Sequence, residues 1–256
     1  MPAEPAFGES DIINAMSIIR FEGVTKLYKN GRGIRDLSLA IEQGQIYGLI
    51  GPNGSGKTTA MKIMTGLIQA DSGAVEVFGA NPAEAIETAL ANVGCLIETP
   101  SFYPYFTARQ NLEYIGRLYP ACPPGQIVQT LELVGLAPYI DERVSNFSLG
   151  MKQRLGMAMA LFTDPELLVL DEPGNGLDIE GMADVRAILQ AQARKGRTIL
   201  ISSHLAAELE QICTDVAILR EGVLLDIAKV PELLTEYGSI EKYYLALIGA
   251  KKGLAS

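Results

Sequence analysis

The 256-residue chain has no tryptophan, one histidine and three cysteines. Cys95, Cys122 and Cys213 are an odd number without metal-ligand spacing, which excludes a closed disulfide framework and a cysteine zinc site. They read as reduced thiols, mostly in the core, of a cytosolic protein. Basic residues are in deficit, with 21 Lys and Arg against 30 Asp and Glu, a net charge of −9. Nucleic-acid binding needs a clustered basic face, so no nucleic-acid partner is expected. Long apolar runs are missing too, and none approaches the roughly 18–20 residues of a membrane helix. The opening MPAEPAFGESDIINAM lacks the basic and apolar regions of a signal peptide, and residues 1–16 are expected to be a flexible extension.

What is present is 48% hydrophobic, suited to buried strands of Leu, Ile and Val. The length suits one large α/β domain or a core domain with an insertion. Residues 17–50 hold β-like runs separated by Gly turns, and EQG before QIYGLI is a hairpin-like turn signal. Helical periodicity over 57–69 is followed by a strand at 74–79, a helix over 81–91 and a strand at 93–97. The helical periods TARQNLEYIGRLY and GQIVQTLELVGL, broken by PACPPG, predict an inserted helical subdomain over about 99–160. Strands resume at 167–170, 198–202, 215–222 and 223–228, with helices over 179–196 and 205–213. Such alternation implies a parallel sheet covered on both faces. Residues 229–256 are expected to be a C-terminal helical tail.

The strongest motif is GPNGSGKT, Gly51 to Thr58, which follows a strand and opens a helix. Its glycines let successive backbone N–H groups turn toward phosphate oxygens, and the helix N-terminus adds a positive end. Lys57 suits the β- and γ-phosphates, and the Thr58 hydroxyl suits Mg²⁺. In LLVLDEP, 167–173, Asp171 and Glu172 end a buried strand, where open α/β sheets bind ligands. Asp171 fits a magnesium contact, and Glu172 fits a base that orients and deprotonates an attacking water. Ser148 and Gly150 open a helix within NFSLGMKQRLGMAMALF, and a serine there is commonly a cap. In CLIETPSFYP, Glu98 stands at the mouth of a short apolar strand. It reads as a surface loop residue, a catalytic base or a metal ligand.

Taken together, the phosphate loop, the serine–glycine helix opening and LLVLDEP resemble the ATP-binding-cassette (ABC) ATPase family over residues 18 to 228. The resemblance implies a P-loop NTPase of α/β class, with a mixed core sheet, an N-terminal antiparallel β subdomain and the inserted α-helical subdomain. It implies nucleotide contacts from Gly51, Pro52, Asn53, Gly54, Ser55, Gly56, Lys57, Thr58 and Thr59, and adenine stacking on Tyr28. Ser148 and Gly150 match the signature residues that bind the γ-phosphate held by the opposite subunit. FSLGM (147–151) stands where LSGGQ is expected, so Leu149 replaces a glycine and Met151 a glutamine. Asp178 resembles the residue linking the two ATP sites, and it also suits a helix cap. His204, which as a lone histidine would read as structural, resembles the switch histidine that contacts the γ-phosphate. Glu98 takes the place of a glutamine that contacts Mg²⁺ and water.

The same resemblance implies ATP and Mg²⁺ as cofactors, a homodimer closing on two MgATP, and a separate transmembrane permease at the cytoplasmic face of a bacterial membrane. IETPSFYP and SLGMKQRLGMA are similar to the branch of antibiotic-resistance and lantibiotic-immunity exporters, bacitracin-type systems included. An importer ATPase and a non-transport ABC ATPase are the alternatives.

Overall fold

The computed structural model describes residues 17–119, 123 and 125–253. The expected extension over 1–16, Cys122 and most of PACPPG lie outside the described residues. Two sheets organise the chain. In the first, β1 (Ser17–Leu27) is central and pairs antiparallel with β2 (Gly33–Glu42) and with β4 (Ser72–Val77). The second has six strands, ordered β5 (Val93–Leu96), β6 (Leu167–Asp171), β7 (Thr198–Ser203), β3 (Ile46–Ile50), β8 (Asp215–Arg220) and β9 (Val223–Lys229). Neighbours from β5 to β8 run parallel, whereas β9 folds back antiparallel on β8, so the sheet is mixed. That hairpin turns at Glu221 and Gly222, both at positive φ.

Strand alternation divides the core. Leu167 and Val169 of β6 face the antiparallel sheet together with Tyr47 and Leu49 of β3. Leu168 and Leu170 face the other way, with Ile46 and Ile50, into the layer that holds most of the helices. Each such fully buried aliphatic side chain contributes about 1.5–3 kcal/mol from apolar surface removed from water. On the first side lies α1 (Lys57–Met64), with Met61 and Met64 fully buried. On the second lie α3 (Ala108–Gly116), α4 (Gln126–Leu133), α5 (Leu149–Leu161) and α6 (Ile179–Arg194). The chain ends in α8 (Val230–Tyr237) and α9 (Ile240–Gly253), after the short α7 (Ala206–Leu209).

Several helices are shorter than their periodicity suggests, for local reasons. The helix expected over 57–69 stops at Met64, because Gly66 takes φ +69° and the Thr65 hydroxyl donates back to the Met61 carbonyl. Of the helix expected over 81–91 only α2 (Ile86–Leu90) forms. Ahead of it, the Asn81 side chain accepts the Ala83 amide and the Asn81 carbonyl accepts the amides of Glu84 and Ala85, which holds a turn instead. By contrast α3 begins at the predicted threonine, where Thr107 and Gln110 form a reciprocal capping box. Cys213 is buried, and burial with Asp215 close by pushes its thiol pKa well up. Cys95, expected among core thiols, is instead exposed on the edge strand β5.

Candidate functional site

The phosphate loop lies between β3 and α1, and its glycines are required by close approach and by dihedral. A Cβ at Gly51 would sit 2.1 Å from the Leu219 carbonyl oxygen, and one at Gly56, at φ +110°, would meet Ile34 at 2.5 Å. Gly56 caps α1 without any side-chain hydrogen bond, which leaves the first amides of that helix open to an anion. The Ser55 carbonyl accepts the Gly222 amide at 3.1 Å, tying the loop to the β8–β9 turn. The Ser55 hydroxyl is buried with no protein partner. A cleft of about 820 Å³, lined by Gly31, Arg32, Asn53, Gly54 and Arg220 among others, borders the loop. Tyr28 begins the turn that carries Gly31 and Arg32; the residue is 41% exposed and its amide donates to the Arg32 carbonyl.

Lys57 is only 4% exposed, yet its ammonium is not isolated. It donates to the Gly51 carbonyl at 2.7 Å and lies 3.3 Å from Glu172 Oε1. The other carboxylate oxygen of Glu172 is 2.8 Å from His204 Nδ1. Glu172 therefore bridges the phosphate-loop lysine and the lone histidine. Its backbone holds φ +48°, a conformation that costs a non-glycine residue about 1–2 kcal/mol. Two hydrogen bonds fix it there, since the Glu172 amide donates to both the carbonyl and the hydroxyl of Ser202.

Asp171 is buried and doubly bonded. Thr58 Oγ1 donates to its Oδ2 at 2.7 Å, and Ser202 Oγ donates to its Oδ1 at 2.5 Å. Thr59 is buried beside Thr58. The donor set fits magnesium, which takes one or two protein oxygens and otherwise waters and phosphate oxygens. Thr58 and Asp171 would supply those two oxygens. Among the described residues, no group of three or more His, Cys, Asp or Glu side chains converges into a metal cluster. Glu98 does not bond to either residue. It stands at φ +62° just beyond β5 and pairs with Lys62 Nζ at 2.5 Å.

The remaining predicted residues lie elsewhere. Ser148 caps α5, its hydroxyl accepting the Met151 amide at 3.2 Å, and Asp178 caps α6 through the Gly181 amide at 2.8 Å. Gly150 adjoins Leu177 of the loop before α6, and a Cβ there would sit 3.7 Å from Leu177 Cδ2. Leu149 rests on Gly176, where an added Cβ would come within 2.9 Å of its Cδ2. Among the described residues, no hydrogen bond or ion pair joins Ser148, Gly150 or Asp178 to the phosphate loop. Ser202 and Lys62 escaped the sequence reading. Ser202 lies opposite Asp171 in the β6–β7 register, and Lys62 is one helical turn after Thr58.

The profile of the family described as "ABC transporter" matches residues 34–175, a span that holds the phosphate loop, Glu98, Ser148 and the Asp171–Glu172 pair. The chain belongs to the ABC transporter ATP-binding family. As an ABC ATPase it binds and hydrolyses ATP. It is 42% identical over 217 residues to the bacitracin transport ATP-binding protein BcrA of Enterococcus faecalis, covering 84% of this chain and 70% of that one. It is 36% identical over 208 residues to the lantibiotic transport ATP-binding protein SrtF of Streptococcus pyogenes, covering 81% and 89%. Among solved structures, the ATP binding subunit of an ABC transporter superposes with a TM-score of 0.80 at 25% identity, over 91% of this chain and all of that one. No helix among the described residues of this ABC ATPase is long and apolar enough to cross a membrane.

Proposed function

We propose that two copies of this chain close on two MgATP molecules and thereby drive a separate membrane permease that exports an antibiotic, a lantibiotic or a related amphiphilic peptide. One observation carries the catalytic half of this reading: the phosphate loop, Asp171, Glu172 and His204 all lie at the C-terminal ends of β3, β6 and β7, which are neighbours in the parallel part of the sheet. Lys57 and the open amides of α1 bind the β- and γ-phosphates. Thr58 and Asp171 hold Mg²⁺, which neutralises phosphate charge when bound. Glu172 accepts the proton of the attacking water, and His204, bonded to its Oε2, keeps that carboxylate turned inward. Tyr28, exposed beside the cleft, offers a face for adenine.

Support for a membrane partner comes from the stretch after Glu98. Tyr105 is 79% exposed, and Tyr103 packs its ring against Phe106 and Tyr114 at centroid distances of 5.1 and 5.0 Å. Exposed aromatics clustered on one turn suit a docking helix. The cargo class follows the bacitracin and lantibiotic relatives. The test is gentle detergent extraction of the tagged chain from its native membranes, followed by identification of what co-purifies. A polytopic membrane protein in equal copy number is the expected result. Ribosomes in its place would overturn the transport reading.

A further inference from the structure

We propose that Lys62 is a positioning residue for nucleotide binding, the built-in counter-charge that allows a carboxylate to stand at residue 98. This rests on the reading that residue 98 lies beside the bound magnesium and γ-phosphate. Lys62 follows Thr58 by four residues on α1, so the two side chains share one face of the helix, a turn apart. Thr58 reaches Asp171 at 2.7 Å, and Lys62 reaches Glu98 at 2.5 Å. One helix face thus grips two acidic strand ends, Asp171 of β6 and Glu98 beyond β5, which are adjacent strands.

Chemistry gives that second grip its purpose. A neutral amide at residue 98 would add no charge beside a triphosphate. A carboxylate adds a full negative charge, which repels the phosphate unless a cation stands against it. The pair is not there for stability. The Glu98 side chain is 61% exposed and that of Lys62 24%, and exposed ion pairs contribute little to folding. Glu98 nonetheless follows β5 at a left-handed φ, an uncommon backbone for a non-glycine residue, with its carboxylate against Lys62 of α1. Lys62 therefore acts through Glu98 and not by touching nucleotide.

The test compares the full chain with K62A, E98Q and K62A/E98Q by titration with a fluorescent ATP analogue, with Mg²⁺ and with EDTA. Removing the lysine alone should weaken Mg²⁺-dependent binding about five- to tenfold, the effect of one uncompensated charge at several ångströms in a partly solvated site. Adding E98Q should return affinity to within about twofold of the E98Q protein, because no charge then remains to offset. Thermal midpoints should stay level across all four chains. Affinity of K62A equal to wild type would overturn the proposal. So would a K62A/E98Q chain as weak as K62A, or a K62A chain that melts well below wild type, since either would make Lys62 merely structural. K57A serves as the control for the nucleotide site: if it too binds normally, the ATP-site reading fails, and not the pair.

Discussion

The two groups of predicted nucleotide contacts are built differently. Lys57, Thr58, Asp171, Glu172 and His204 pair across elements, from α1 and from the ends of β6 and β7, and Lys57 and Asp171 are almost wholly buried. Ser148 and Asp178 bond only three residues along their own helices, and Leu149 and Ile179 beside them are 57% and 89% exposed. One group is organised by the tertiary fold. The other is held by its own caps and by the contact of Leu149 with Gly176, and it presents two helix N-termini and two largely exposed apolar side chains. On the proposed reading, the first group binds nucleotide within one chain, and the second is completed by an external surface, as closure of two copies would provide.

That contrast can be broken or sharpened by mutation. The largest effect should come from Glu172→Gln, which keeps the shape but removes the base. Hydrolysis should fall about 10²- to 10⁴-fold while nucleotide still binds, and wild-type turnover would remove Glu172 from the mechanism. Lys57→Ala comes next, since it deletes a charge-assisted phosphate contact. Equilibrium binding should weaken roughly 10- to 100-fold, and unchanged affinity would reject the phosphate-loop reading. Ser148→Ala is smaller and of another kind. Turnover should drop roughly tenfold and folding stability by about 1 kcal/mol through the lost cap, while binding to the isolated chain stays level. If binding falls as far as turnover, the two groups are not separable and the comparison collapses.

Legibility in the sequence follows the same division. GPNGSGKT and LLVLDEP could be read because strand, loop and helix succeed one another along the chain, so local pattern carries the chemistry. Ser202 could not, because only the register that sets Asp171 against Ser202 brings its hydroxyl to the carboxylate. Lys62 was hidden for a similar reason: its partner is 36 residues away, beyond a different strand. Glu98 drew notice as an odd carboxylate, but its pairing depends on a backbone turn that no periodicity announces. Strands were legible over 17–50, but the EQG turn does not close a hairpin, because β3 leaves β2 for the parallel sheet, and β1 takes β4 from beyond the phosphate loop and α1 as its second neighbour. Helix ends were overrun where Gly66 and Asn81 overrode an apolar period.

The left-handed backbone of Glu172 has a consequence that a calorimeter would register. Glu172→Ala and Glu172→Gly both discard the carboxylate, so both lose Lys57 and His204 as partners. They differ only in a Cβ held at φ +48°. The glycine chain should be the more stable by about 1 kcal/mol, melting roughly 2–4 °C above the alanine chain. Heat resistance and turnover would then be set against each other at a single residue, with the native chain keeping the less comfortable choice.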